Sequence, residues 1–233
     1  MLTLAVDTSS AVGSVALVRD GNVLAETTRV SASVSPRTRT VTHSTNLVPT
    51  IEQLLSTLNP QPSALNLLAV GLGPGSFTGV RVAIATMKGY ALALKKPVVG
   101  VSSMDALALA HKDRLPTGCT TLAAIVDAGR GETYCSTYSV LEGQFFKVTE
   151  TTIVTIEQLR ARILTPTFFI GPQLGEQRAA LEKHLGSRAI VDGNPVHPSA
   201  AVVGLLAEEK FAEQRIGDGD IEPIYLRLPA EKR

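Results

Sequence analysis

The sequence predicts an α/β protein built on a duplicated two-domain plan, each half a mixed β-sheet with flanking helices. Three observations predict it. Asp20-Gly21 and Glu142-Gly143 each lie between strand-like apolar runs, a hairpin signal, so each half opens on an antiparallel meander. A mostly apolar run, Leu65 to Gly71, passes through a Gly-rich loop into an Ala-rich helical stretch, as a strand buried on both faces does when a helix follows it. After residue 119 the same order starts again: a meander, then helix, strand, helix.

The first strand is Leu2-Thr3-Leu4-Ala5-Val6, ending on the turn-prone cluster Asp7-Thr8-Ser9-Ser10. Val12 to Val18 and Val23 to Thr27 complete the meander around Asp20-Gly21. A polar stretch, Ser31 to Thr42, leads to a helix in which Leu47, Ile51, Leu54, Leu55 and Leu58 repeat at helical spacing until Asn59-Pro60-Gln61-Pro62 stops it. The strand Leu65 to Gly71, a helix from Val80 to Leu94 and a strand from Pro97 to Val101 close the first half. In the second half, strands are expected at Thr120 to Val126, Thr133 to Val140 and Gln144 to Thr151. They are followed by a helix at Ile156 to Ile163, a strand at Thr167 to Gly171, a helix at Glu176 to His184 and a short strand at Ala189 to Val191. Pro198-Ser199 start a last helix, Ala200 to Gln214, which is expected to cross back to the first half.

Composition narrows the function classes. With 233 residues, 44% of them hydrophobic, the chain can bury a substantial core. A net charge of +1 supplies no global field for nucleic acid, so RNA contact is expected to be local or made through a partner. Cys119 and Cys135 are too few and too far apart for a metal motif. Asp7 interrupts the apolar N-terminus too early for a signal peptide, and no apolar run is long enough to span a bilayer, so the expected location is the cytoplasm, with no membrane partner.

The loop Gly73-Pro74-Gly75-Ser76-Phe77-Thr78-Gly79-Val80-Arg81 is the most conspicuous motif. Glycines at a strand-to-helix turn let backbone approach a phosphate or another backbone. No Gly-Lys-Ser/Thr follows, and the third glycine falls one residue late for the dinucleotide fingerprint. Arg81 is badly placed for the helix dipole and is expected to answer to a carboxylate nearby or across an interface. On the helix itself, Val80, Ala83, Ile84, Met87, Ala91 and Leu94 line one broad face, while Ala85, Gly89 and Ala93 keep another side slim.

These residues carry a resemblance. Asp7-Thr8-Ser9, the segment Gly71 to Arg81, the turn Asp127 to Tyr134 and Pro223-Ile224-Tyr225-Leu226-Arg227 resemble the bacterial YeaZ family, also called TsaB, across nearly the whole chain. The resemblance implies an actin-like, Hsp70-like, sugar-kinase-like fold and a role in making threonylcarbamoyladenosine in tRNA. It implies a first domain over 1–102, with the helix at about 199–215 packed back on it, a smaller second domain over 103–198 and a tail over 216–233. Such a protein is the non-catalytic paralogue of TsaD, which transfers the threonylcarbamoyl group. The two pair, the ATPase TsaE joins them, and tRNA is reached through the complex. Without TsaD a homodimer is the expected alternative.

The catalytic relatives carry a His-x-x-x-His metal grip and an Asp at the start of the last helix; here Ser103, Leu107 and, by a looser alignment, Ser199 stand in those places. None of His43, His111, His184 and His197 has another histidine four residues away, and Leu107 cannot ligate. The second-half loop reads Gly171-Pro172-Gln173-Leu174-Gly175, where Pro172 stands at a glycine and has no N–H to donate to a nucleotide. Asp7 reads as a turn cap rather than a metal-phosphate residue. The resemblance therefore implies no catalytic residue, metal or cofactor of the chain's own. It puts a partner interface on the two first-half helices, at Leu47, Ile51, Val80, Arg81, Ile84, Met87 and Ala91. If Val80 and Met87 face outward, a Glu at either separates the partners and leaves the monomer folded. The alternatives are a small-molecule kinase of the same superfold, resting on Asp7 and the Gly-rich turn, and a metallopeptidase of the glycoprotease type, for which the ligands are lacking.

Overall fold

A computed structural model of the chain describes residues 1–30, 43–214 and 221–226. The polar stretch Ser31 to Thr42, most of the expected tail and the side chain of His43 lie outside the described residues. The chain divides into two compact units, Met1–Ala106 with Pro198–Pro223, and Leu107–His197 with Ile224–Arg233.

The first unit holds β1 (Leu2–Asp7), β2 (Val12–Arg19), β3 (Asn22–Val30), α1 (His43–Leu58), β4 (Leu67–Gly71), α2 (Phe77–Leu94) and β5 (Val98–Val101). The sheet order is β3-β2-β1-β4-β5, antiparallel through the meander and parallel from β1 to β5. Alternation along the strands gives the sheet two apolar faces. Leu4, Val6, Val15, Leu17, Leu68 and Val70 meet α1 and α2. The opposite face is made of smaller side chains, among them Ala5, Ala16 and Ala69, and is covered by α6 (Ala200–Gln214) through Ala200, Ala201, Val203 and Ala207. Small residues let helix and sheet close tightly: a Cβ at Gly204 would lie 2.7 Å from Val18 Cγ2.

The second unit follows α3 (Ser103–Ala110), whose chain passes from one unit to the other. It contains β6 (Thr121–Gly129), β7 (Glu132–Leu141), β8 (Gln144–Thr155), α4 (Leu159–Arg162), β9 (Thr167–Ile170), α5 (Leu174–Leu185) and β10 (Ala189–Val191). Its order, β10-β9-β6-β7-β8, repeats the first sheet strand for strand when read from β8, with the same parallel and antiparallel pairings. This is the duplicated plan of two mixed sheets with flanking helices that the sequence predicts. Three of the hairpins turn through two residues with positive φ, Asp20-Gly21, Arg130-Gly131 and Glu142-Gly143, the conformation that matches strand twist.

Three elements differ from expectation. The helix α3 is additional, and β8 runs on to Thr155. The helix expected over Ile156 to Ile163 is reduced to Leu159–Arg162, because Thr155 and Gln158 form a reciprocal side-chain cap and the next three N–H groups bond three residues back, a tight 3₁₀-like start. No helix among the described residues is long and apolar enough to cross a membrane.

Candidate functional site

The strand-to-helix loop after β4 packs against the turn after β1, and the glycines mark where. A Cβ at Gly75 would lie 2.1 Å from the Ser9 carbonyl oxygen, one at Gly79 1.9 Å from the Thr8 carbonyl oxygen, and one at Gly71 1.9 Å from Asp7 Oδ2. The backbone that the glycines admit is therefore the protein's own. Asp7 is fully buried. Its Oδ1 accepts from the Ser9 N–H (2.8 Å) and hydroxyl (2.6 Å), and its Oδ2 accepts from the Ser103 hydroxyl (2.6 Å). The Ser9 bonds are the Asx-type turn cap expected of Asp7.

Ser103 thus donates to Asp7, and its Oγ also accepts the Gly73 N–H at 3.0 Å. Leu107 is wholly buried. Ser199 caps α6, accepting from Val202 N and donating to Glu26, whose carboxylate also takes the Ala201 N–H; Ser14 Oγ accepts the Ala200 N–H. The donors that a helix N-terminus could turn toward an anion are spent within the unit. Among the described residues, no three His, Cys, Asp or Glu side chains are grouped to hold a metal ion.

In the second unit, Gly171 is confined by the Ile125 carbonyl, 2.0 Å from where its Cβ would stand. Beside it a cavity of about 260 Å³ is lined by Asp127, Glu132, Gln173, Glu176 and Gln177 among others. Three carboxyl side chains disfavour an anionic ligand there. His111 bonds the Leu107 carbonyl through Nδ1 at 2.8 Å, and burial pushes its imidazole below the usual histidine range. Burial also lowers His197, with His111 as a further cause. Burial pushes the Cys135 thiol up to about 12, where it is inert.

The seven residues expected at a partner interface divide sharply. Leu47, Ile51, Val80, Ile84 and Met87 belong to the core of the first unit, so that expectation is corrected for them: the sheet needs covering, and these side chains cover it. Ala91 is half-buried against the same cluster, and Arg81 is exposed. The Arg81 guanidinium lies 3.7 Å from the Phe77 ring centroid, a cation–π contact one helical turn away. The solvent side of α2 carries the slim residues: Ala85, Gly89 and Ala93 are exposed, as are Phe77 (56% exposed) and Leu92 (83%). Half-buried Tyr90, its phenol raised by burial and by Glu52 of α1, borders this surface. Sequence reasoning missed Glu26 and the buried Glu208, whose oxygens accept from Thr3 Oγ1 and Gly21 N. An acid at helical spacing from Val203, Gly204 and Ala207 was the available signal for Glu208.

Comparison with known proteins places this geometry. The family model described as TsaD, tRNA N6-adenosine threonylcarbamoyltransferase, matches residues 22–172. The TsaB biosynthesis protein of Escherichia coli (strain K12) is 31% identical, with 97% of this chain and 95% of the relative aligned. The chain belongs to the TsaB family. The TsaB protein of Bacillus subtilis (strain 168) is 30% identical over 98% of this chain and 95% of its own. The solved structure of YeaZ from Pseudomonas aeruginosa is similar with a TM-score of 0.76 at 28% identity, covering 97% of this chain and 99% of that one. Within the TsaB family, therefore, the Gly-rich loop belongs to a fold shared over its full length, and in this chain its glycines serve packing.

Proposed function

We propose that this chain is a non-catalytic subunit of tRNA threonylcarbamoyladenosine formation. It works in the cytoplasm, pairs with the threonylcarbamoyltransferase TsaD, is joined by TsaE, and reaches tRNA through the complex. The names of its relatives, tRNA threonylcarbamoyladenosine biosynthesis proteins, support the pathway. One observation carries the supporting role. Asp7, Ser103 and Ser199, where the fold would hold a reacting group, are engaged with the chain's own Ser9, Gly73, Glu26 and Val202.

What the chain offers outward is the slim side of α2. Small residues at Ala85, Gly89 and Ala93 allow a partner helix to approach closely, and Phe77 and Leu92 supply apolar area without refolding anything. A stable pair needs about 800 Å² from each side, more than one helix face provides, so neighbouring exposed residues of α1, Val48 and Glu52 among them, belong to the same surface. Without TsaD a second copy of the chain can use it.

The test is size-exclusion of the chain with and without TsaD, followed by reconstituted modification of tRNA. Co-elution, and modification that depends on this chain, are expected. Separate elution, or equal modification without it, would defeat the proposal, and tight Mg-ATP binding by the isolated chain in calorimetry would favour the kinase alternative.

A further inference from the structure

The geometry points to Asp7, Ser9 and Ser103 as positioning residues that set the first turn of α2, and through it the docking surface. The inference rests on the pairing proposed above and adds to it the side chains that aim the helix. Every anchor of the loop lies close to one carboxylate. Asp7 Oδ2 holds the Ser103 hydroxyl; Ser103 in turn grips Gly73 from both sides, its N–H donating to the Gly73 carbonyl (2.9 Å) and its Oγ accepting the Gly73 N–H. Asp7 Oδ1 holds Ser9, whose carbonyl accepts the Ser76 N–H at 2.6 Å. Between them, the Thr8 hydroxyl donates to the Gly79 carbonyl at 2.7 Å.

Ser76 is the N-cap of α2, its Oγ accepting from Gly79 N, and Phe77 and Arg81, the exposed stacked pair, occupy the first turn and a half that follows. The close approaches at Gly75 and Gly79 leave no slack, so a shift of the turn at Asp7 moves the start of α2. Both Asp7 oxygens accept in this network, which turns the Ser9 and Ser103 hydroxyl protons toward them and leaves the Ser103 lone pairs for Gly73. With Asn, either the amide NH₂ faces Ser103 Oγ, whose own proton then loses its acceptor, or it faces the two Ser9 donors.

Asp7→Asn, Ser103→Ala and Ser103→Thr are compared in the full-length chain, by calorimetric titration with TsaD and by hydrogen exchange at residues 75–80. Arg81→Glu serves as the control for the docking surface. Asp7→Asn and Ser103→Ala are expected to weaken TsaD binding about tenfold and to speed exchange at residues 75–80, while Ser103→Thr, which keeps the hydroxyl, stays within about twofold of the parent. Unchanged affinity of folded Asp7→Asn and Ser103→Ala, in a series where Arg81→Glu abolishes binding, overturns the inference. So does lost affinity with unaltered exchange at residues 75–80, or failure of Ser103→Thr to rescue. If Arg81→Glu binds as the parent does, it is the docking surface that fails; exchange then decides positioning alone, faster exchange in Ser103→Ala supporting it and unchanged exchange overturning it.

Discussion

His111 and His197 each lose hydration on folding, and burial lowers both below the ordinary value of 6.5. The charged groups around His111 are Arg114, which lowers it further, and Asp192, which raises it; Arg114 Nη2 and Asp192 Oδ1 pair at 2.8 Å. The folded chain therefore binds fewer protons than the unfolded chain once pH falls below 6.5, and stability drops until the folded values are reached. The melting temperature should be flat between pH 7 and 8 as far as these groups are concerned and decline below about 6.5. His111→Asn with His197→Gln should flatten part of that decline, measured by calorimetric melting at several pH values; an unaltered slope would assign the acid sensitivity elsewhere. Much at this scale was legible beforehand. Asp7 reads as a turn cap because its type and place say so, and its bonds to the Ser9 N–H and hydroxyl are that cap. The bond from Ser103 to Asp7 was not legible, since it joins residues 96 positions apart and only the parallel pairing of β1, β4 and β5 brings them together.

The helix α2 shows why periodicity predicts an element better than its role. Val80, Ile84 and Met87 recur as an amphipathic helix should, and that stripe is the core; the same pattern read as an interface puts the partner on side chains that the unit buries. The slim exposed side has no comparable signal, because single small residues on a surface are ordinary. Met87→Ala should cost about 2–4 kcal/mol in denaturant unfolding, since the side chain is fully buried, whereas Leu92→Glu should stay within about 0.5 kcal/mol and reduce affinity for TsaD. The reverse outcome would restore the buried stripe as the docking face. The helix α3 escaped prediction because Ser103–Ala110 is apolar nearly all round, with little periodicity to read. The edge strand β8 carries two register irregularities against β7 and the ion-paired Lys147, devices that blunt an edge exposing Phe146 and Val148.

At the scale of the molecule, the repeated sheet order makes the two halves look interchangeable, but one helix breaks the symmetry of the sequence. Strands β1 to β5 have two apolar faces, and the described residues up to Val101 supply helices for only one of them. The other waits for α6, from the far end of the chain, held by Ser14 and Glu26 at its start and by Glu208 to Thr3 and Gly21 farther along. A chain ending at His197 should leave Ala5, Ala16, Leu67, Ala69, Val99 and Val101 without cover and lose the cooperative unfolding of the first unit. Dye binding to exposed apolar surface and loss of amide protection in β1 and β4 would report it. The milder variant Gly204→Leu presses a side chain against Val18 and Ala5 and should cost about 1–3 kcal/mol. Should the shortened chain keep native protection in β1 and β4, α6 would be an attachment rather than a wall of the core, and Gly204→Leu should then be nearly neutral. Loss of protection together with a destabilised Gly204→Leu would place the completion of the first unit after the second in chain order, so that α1 and α2 reach their final support only when residues 200–208 have docked.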